Sequence, residues 1–446
     1  MSLIMRPAPI PITSRPKANC RRMPRLLLLM TTTTYRAAAF LEAARRLQVT
    51  VVVGSDQAQA LEALTPGSTL TLDFFYPEEA ARTITAFAAT HPLDAVVGVD
   101  DDTTLTAAMA AEALGVSHNA VASVAATRNK HQLRQLLAAG GVPSPRFACY
   151  SIAADPVEVA RQITFPCVVK PLFLAASRGV IRADDPEQLV AAFQRLVALL
   201  RRPEVAVRGG ALARQVLVEA FIPGQEVALE GLLTRGQLKM LALFDKPDPL
   251  DGPFFEETLY VTPSRLPEAV QAAIVACTAH TVRVLGLREG PVHAELRVND
   301  QGPWVIEVAA RSIGGLCSRT LRFEAGRSLE EVILRHTLGH DVTSCERDQG
   351  ASGVMMLPIP HRGILRAIHG QEDARRVPGI EDLSLTIPFG QEVLPLPEGD
   401  RYLGFLFARA ATPDGVETAL RTAYAQLSFV ITPGEGCQAT LAGTTW

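Results

Sequence analysis

Short apolar runs alternate with helical periods over the first part of the chain. Leu26 to Met30 reads as a strand, Tyr35 to Leu47 as a helix, Val49 to Val53 and Ala95 to Val99 as strands, and a further helix follows Asp102. This βαβ rhythm predicts a small doubly wound parallel sheet that ends near residue 125. Pro143 and Pro145 then interrupt a helix for which Thr127 is the candidate cap and Gly140 with Gly141 the stop. Beyond it, Pro166 to Lys170, Gly179 to Arg182 and Val216 to Leu232 read as strands, with a helix from Pro186 to Leu200, and Arg202 to Arg214 reads as an exposed loop. Helices are expected at Glu268 to Leu285, Ser328 to Leu338 and Pro413 to Leu427, and a strand at Tyr402 to Arg409. The fold class is therefore α/β followed by α+β. The expected units are 25–125, 126–232, 233–345 and 346–446, with 1–24 as a disordered extension.

The segment Pro291 to Gly315, PVHAELRVNDQGPWVIEVAARSIGG, places Glu295 and Glu307 on two apolar runs joined by Asn-Asp-Gln-Gly. A three-residue loop Asp300 to Gly302, with Gly302 left-handed, pairs Asn299 with Pro303 and sets Glu295 opposite Glu307. Opposed side chains have Cβ atoms about 5 Å apart, where two carboxylates repel unless a cation intervenes. Hard oxygen ligands at that spacing suit Mg²⁺. A solvent-facing strand pair balanced by Arg297 and His293 is the plainer reading of the same residues. Arg311, just past the second run, is placed to steady one carboxylate or to bind an anionic substrate.

Composition narrows the function by exclusion. The chain has 446 residues, 48% hydrophobic and 20% charged, and a net charge of -3, so it lacks the basic excess that tracks nucleic-acid backbones. Seven scattered cysteines without a Cys-x-x-Cys pair indicate neither a disulfide framework nor a zinc site, and a reducing cytoplasm fits best. The basic, proline-containing start has an apolar stretch too short for a secretory h-region, and nothing approaches the ~20 apolar residues of a membrane span. Three further residue groups take their plainer readings: His336 and His340 as a surface pair, Asp100 to Asp102 as a helix cap near a crevice, Cys317 as packing.

Several weak nucleotide-binding signals occur in a particular order. Lys130 lies in Arg128-Asn129-Lys130, Lys170 ends the apolar run Cys167-Val168-Val169, and VLVEAFIPGQEVALEGLL reads as a hairpin turning at Pro223-Gly224, flanked by Glu219 and Glu226. The two metal-type glutamates and Arg311 follow. That order resembles the ATP-grasp superfamily across about residues 25 to 430. The loop KPLFLAASRGV, the motif EVAAR with Ala309, and the segments Phe244-Asp245-Lys246-Pro247, Phe255-Glu256-Glu257-Thr258 and Val261-Thr262-Pro263-Ser264 resemble its L-amino acid ligase branch, which includes dipeptide synthetases and carnosine-synthase-like enzymes.

The resemblance implies an ATP-grasp fold: an N-terminal doubly wound parallel-sheet domain, a small central lid domain and a larger C-terminal antiparallel α+β domain. It implies that Lys130 and Lys170 contact ATP phosphates, with Ser177 in the covering loop. The backbone of Glu219, Ala220 and Phe221 would read adenine and Glu226 the ribose. Glu295 and Glu307 would hold Mg²⁺, with Mn²⁺ as the alternative ion. Glu257 would lie near a substrate amino group, Arg311 would face the reacting carboxylate, and Gly314 and Gly315 would form part of an anion cradle. The implied reaction joins a carboxylate to an amine through an acyl phosphate, with ADP and phosphate released, and the Leu172 to Arg178 loop closing over it. The expected partners are small amino acids or related acids and amines, with neither nucleic acid nor membrane, and a homodimer because members of the family are often dimers. A biotin-dependent carboxylase is the neighbouring alternative, weakened by the lack of a Met-Lys-Met tripeptide. A non-catalytic nucleotide-binding protein is the third class.

Overall fold

The computed structural model describes residues 22–58 and 67–434. The extension expected over residues 1–24 therefore lies almost wholly outside the described residues. The first lobe is a four-stranded parallel sheet in the order Thr69–Thr71, Thr50–Ser55, Arg25–Leu29, Ala95–Gly98. Leu26 to Leu29 are fully buried, as a central parallel strand covered by helices on both faces requires. The expected rhythm is found, with an additional short strand at Thr69–Thr71 and a helix at Pro77–Ala88.

Helix Lys130–Ala139 leads out of this lobe, and its cap is Asn129, whose side chain accepts from the His131 and Gln132 amides. Thr127 instead turns its hydroxyl back onto the Val124 carbonyl. The second lobe is a four-stranded antiparallel sheet in the order Phe147–Ser151, Gln215–Ala220, Cys167–Pro171, Ile181–Ala183. Helix Pro186–Leu200, started by Pro186 and capped by Asp185 on the Gln188 amide at 2.8 Å, buries Leu189, Phe193, Leu196 and Leu200 against the lobe's core. The stretch 202–214, expected as a loop, folds into helix Pro203–Gly209 and one 3₁₀ turn, because Pro203 sits at a helix start where its missing N–H costs nothing.

The third lobe is an eight-stranded antiparallel sheet. Its order is Gly302–Ala309, Gly290–Asn299, Gln225–Thr234, Gln237–Asp245, Leu259–Thr262, Ala351–Leu357, Gly404–Ala410, Ile380–Leu385. This pairing runs straight through the expected divisions at 232/233 and 345/346, so neither coincides with a sheet edge. It also overturns the hairpin read around Pro223-Gly224: strand Gln215–Ala220 belongs to the second lobe and strand Gln225–Thr234 to the third. Ile222 to Gly224 is the crossing between lobes. Gly224, at φ 125°, has no room for a Cβ, which would stand 2.2 Å from the Val298 carbonyl oxygen.

Candidate active site

The three lobes meet around one cavity of about 810 Å³. All thirteen candidate residues line it: Lys130, Lys170 and Ser177, then Glu219, Ala220, Phe221 and Glu226 around the lobe crossing, Glu295 and Glu307 on the large sheet, Glu257 in the segment leading into its strand Leu259–Thr262, and Arg311, Gly314 and Gly315 just beyond Glu307.

The hairpin carrying the glutamates differs from the expected register and arrives at the expected pair. Asn299 pairs with Gly302 and Val298 with Pro303, a two-residue loop rather than three. A bulge between Glu295 and Leu296 in the pairing, which leaves Ile306 unmatched, then restores Glu295 opposite Glu307. The two carboxylates nevertheless have different partners. Glu307 accepts from Lys130 Nζ at 3.1 Å, while Glu295 lies 3.2 Å from Lys246 Nζ and 3.4 Å from His293 Nε2.

Lys246 is the centre of a cage. Its buried ammonium contacts Glu226 at 2.8 Å, Glu257 and Glu295, and lies 4.9 Å from the Tyr260 ring. Carboxylate oxygens of Glu226, Glu257 and Glu295 fall within 4.8 Å of one another. Such a trio has the donor chemistry of a hard-cation site, yet here the protein supplies the cation itself. Burial pushes the Glu257 carboxyl up to about 7, with Glu295 adding to it and Lys246 opposing. Glu295 goes the other way: burial would raise it, but Lys246 and His293 hold it well below the usual range. His293 bridges to the fully buried Glu230 at 3.2 Å, and Glu230 also accepts the Ile313 amide at 3.0 Å. Burial disfavours the imidazolium, but Glu230 and Glu295 outweigh it and carry His293 up to about 9.

A second charged group surrounds the strand end at Lys170. Glu219 takes Arg134 Nε at 2.7 Å and Lys170 Nζ at 2.6 Å, with all three side chains buried. Burial lowers the Lys170 ammonium to about 8 despite the attraction of Glu219. The Glu219 carboxylate is thus structural, and the Ala220 and Phe221 amides donate to the Arg146 and Pro166 carbonyls at 2.8 and 3.0 Å. Those two donors are taken up by the fold and are not free for a base. The Phe221 ring lies under Arg182 and Arg297, at 4.1 and 4.8 Å from its centroid. Arg297 also binds Glu226 at 3.0 Å, which fixes that carboxylate at the cavity wall.

Arg311 pairs with neither metal-type glutamate. It holds Asp101 at 2.6 Å and the Ser312 carbonyl at 2.9 Å, and Arg128 binds the same Asp101 at 3.1 Å. Asp100 does cap the following helix, as expected, but Asp101 and Asp102 are site residues: Asp102 takes Arg128 and, from the second lobe, Arg208 at 2.8 Å. Gly314 has open space where a Cβ would stand, whereas at Gly315, φ 58°, it would press on the Phe405 ring at 3.1 Å. Cys317 is buried packing, and His336 is half-buried against Thr234 and Glu289 rather than paired with His340.

The Leu172 to Arg178 loop is tied to the large lobe. Ala176 and Ser177 adopt φ of 54° and 55°, a conformation costing roughly 1–2 kcal/mol per non-glycine residue. The opposing segment of the large lobe compensates: Gly179 donates to the Pro397 carbonyl at 2.8 Å, Arg178 to the Glu398 carbonyl at 3.0 Å, and Arg195 binds the Glu398 carboxylate at 2.6 Å. If the loop covers a nucleotide, as expected from the sequence, replacing Glu398 by Gln is expected to loosen it and raise the KM for nucleotide ~2- to 5-fold, the range of one partly exposed ion pair. Steady-state kinetics at varied nucleotide would check this, and an unchanged KM would remove the clasp from the account.

Glu230 and Arg134 have no counterpart in the sequence reading, and the roles of Lys246, His293 and Asp101 differ from the ones read for them there. Lys246 stood inside a segment already singled out, so its charge was the available signal. Except for the contact of His293 with Glu295, two residues on, the others act through partners tens to hundreds of residues away, which no local pattern reveals. Among the described residues no helix is long and apolar enough to cross a membrane.

Comparison with known proteins agrees with this geometry. The ATP-grasp N-terminal domain model matches residues 41–117, the ATP-grasp domain model 163–320 and the L-amino acid ligase C-terminal domain 2 model 355–432. The alanine–anticapsin ligase of Bacillus subtilis (strain 168) is 25% identical over 270 residues, 58% of this chain and 56% of that protein. Dapdiamide A synthase of Enterobacter agglomerans is 30% identical over 199 residues, 43% and 44% respectively, so the chain spans about half the length of these curated relatives. The crystal structure of an L-amino acid ligase from Bacillus licheniformis superposes with a TM-score of 0.78 at 26% identity, covering 92% of this chain and 100% of that one. The chain belongs to the ATP-grasp superfamily, in its L-amino acid ligase branch.

Proposed function

We propose that this protein is an ATP-dependent ligase that joins an amino acid, or a related carboxylic acid, to the amine of a second amino acid. The observation that carries this reading is the convergence of Lys130, Lys170, Glu295, Glu307 and Arg311 on one cavity walled by all three lobes. Peptide-bond formation in water is uphill, so the carboxylate has to be activated first. Its oxygen attacks the γ-phosphorus of ATP, ADP leaves, and an acyl phosphate forms. The amine then attacks the acyl carbon, phosphate departs with the C–O bonding pair, and the nitrogen loses a proton.

The side chains do electrostatic rather than covalent work. Lys130 and Lys170 neutralise the transferring phosphoryl group, and Arg311 holds the carboxylate and then the tetrahedral oxyanion. Glu295 and Glu307, hard oxygen donors opposed on neighbouring strands, would hold Mg²⁺, which supplies charge neutralisation at the phosphates when bound. Glu257, kept near neutral pKa by burial, faces the substrate amino group. The clasped cover keeps water from the acyl phosphate.

Substituting Glu307 by Gln keeps size and hydrogen bonding and removes one anionic oxygen donor. ATP-dependent product formation should fall by at least ~100-fold, the scale of losing one preorganised charge at a phosphoryl site. Coupled ADP release with mass detection of product would measure it, and wild-type turnover would contradict the metal assignment.

A further inference from the structure

Joining two amino acids leaves one carboxylate unconsumed, that of the amine donor, and it needs a cation of its own. Of the cations lining the cavity, Lys130, Lys170, Arg178, Arg208, Arg297 and Arg311 each have an acidic partner. Arg36 and Arg401 have none within ion-pair distance among the described residues, and Arg401 is exposed at the rim, reaching only the Thr386 carbonyl at 3.4 Å. Arg36 is the buried one, 3% exposed. It donates to the Val99 carbonyl at 2.9 Å and to the Ser312 hydroxyl at 2.5 Å, and its Nε has no partner.

Its place in the fold is independently suggestive. The loops Thr31 to Arg36 and Val99 to Asp102 leave the carboxyl ends of the adjacent parallel strands Arg25–Leu29 and Ala95–Gly98, and both line the cavity. Chain connections diverge there, and open α/β sheets bind ligands in such a crevice. Arg36 is also the N-cap of helix Ala37–Arg46, which has no side-chain cap and no acid in its first turn, so its amides present partial positive charge. Of the nearby acids, Asp100 is bound by Thr31 and Thr34, Glu330 by Ser318, and Glu230 by His293 and Ile313 through Oε2 while its Oε1 has no partner; all three favour the Arg36 charge through space, but none is within ion-pair distance of it. Ser312 joins the two arginines, accepting from Arg36 at its hydroxyl and from Arg311 at its carbonyl. The cations thus stand side by side, one for each substrate's carboxylate.

We propose that Arg36, with the Thr31 to Tyr35 loop and the uncapped helix behind it, is the subsite for the carboxylate of the amine-donating amino acid. This rests on the ligase reading above. It restricts the second substrate to amines that carry a carboxylate and makes their amides and simple alkylamines poor substrates.

The test uses the full-length protein with ATP and the acyl donor saturating, and compares an amino acid with its own carboxamide as nucleophile. Arg36→Gln should raise the KM of the amino acid ~10- to 100-fold, the range of one charge-assisted bidentate contact. The carboxamide's KM, already high, should shift by less than ~3-fold. Arg36→Lys, which keeps a cation but not the planar fork, should recover part of the amino acid's affinity and decides the matter if the Gln variant fails to fold. An equal loss with both nucleophiles, or a shift in the KM of the acyl donor instead, would overturn the assignment and leave Arg36 as a tie between lobes. If the wild-type protein joins no pair at all, the ligase reading fails first and takes this one with it.

Discussion

Replacing Lys246 by Met is expected to destabilise the protein by about 3–5 kcal/mol, because it strips the counter-charge from a buried carboxylate cage. Glu226, Glu257 and Glu295 would then face one another across 4.8 Å or less, with only Arg297 and His293 left as partners at the edges. The penalty has a pH signature. In the variant the cage holds protons that the unfolded chain releases at ordinary carboxylate pKa values, so the folded form binds more protons and loses stability as pH rises. Glu257, already raised to about 7 with Lys246 present, goes higher without it. The gap between variant and wild type should therefore narrow at pH 5 and widen at pH 8. Urea denaturation at the two values would measure it, and a gap independent of pH would mean that Lys246 acts by packing. Adding Glu257→Gln should restore part of the loss.

The second large effect is catalytic. Arg311→Gln should lower kcat by ~100- to 1,000-fold, as removal of an oxyanion donor does, while the KM for ATP moves by less than ~3-fold. Asp101 keeps Arg128 at 3.1 Å in that variant, so the acid is not orphaned and the fold should hold. Single-turnover measurement of acyl phosphate trapped by hydroxylamine would separate loss of activation from loss of amine attack. An unchanged kcat would leave Arg311 as a partner of Asp101 and nothing more.

How much of this was legible beforehand depended on the range of the interactions. Helices Pro186–Leu200 and Glu268–Leu285 carry their starts and stops locally, a proline with an acid in the first turn in one case and Gly286 at φ 74° past the end in the other, and both were read residue for residue. Helix Pro77–Ala88 carries the same signals, Pro77 with Glu78 and Glu79, and could have been read. The strand Thr69–Thr71 is three residues long and too short for alternation to register.

The Pro223-Gly224 turn shows where local reading fails. Two apolar runs about a Pro-Gly pair satisfy every local condition for a hairpin. They part because strand Cys167–Pro171 claims one and strand Gly290–Asn299 the other, contacts some 50 to 70 residues distant. That failure makes the site, since the crossing is where the cavity opens.

The site residues divide in the same way. Glu295 and Glu307 were found as a pair because one turn relates them, and the bulge absorbed the one-residue error in that turn. The cage around Lys246 draws on Glu226, Glu257 and Glu295, 20, 11 and 49 residues away along the chain, and its existence is a fact of the tertiary fold. Asp101 begins a helix, and a cap is its local reading. What it does instead, holding Arg311 at 2.6 Å, follows from the first lobe packing onto the third.

The measurement that tests the central claim most directly is release of ADP and phosphate from ATP and Mg²⁺ across a matrix of amino acid pairs, with mass spectrometry of the products. The account predicts a signal that depends on the pair, with a product mass equal to the two acids less one water. ATP consumption only with bicarbonate, or none with any pair, would contradict it.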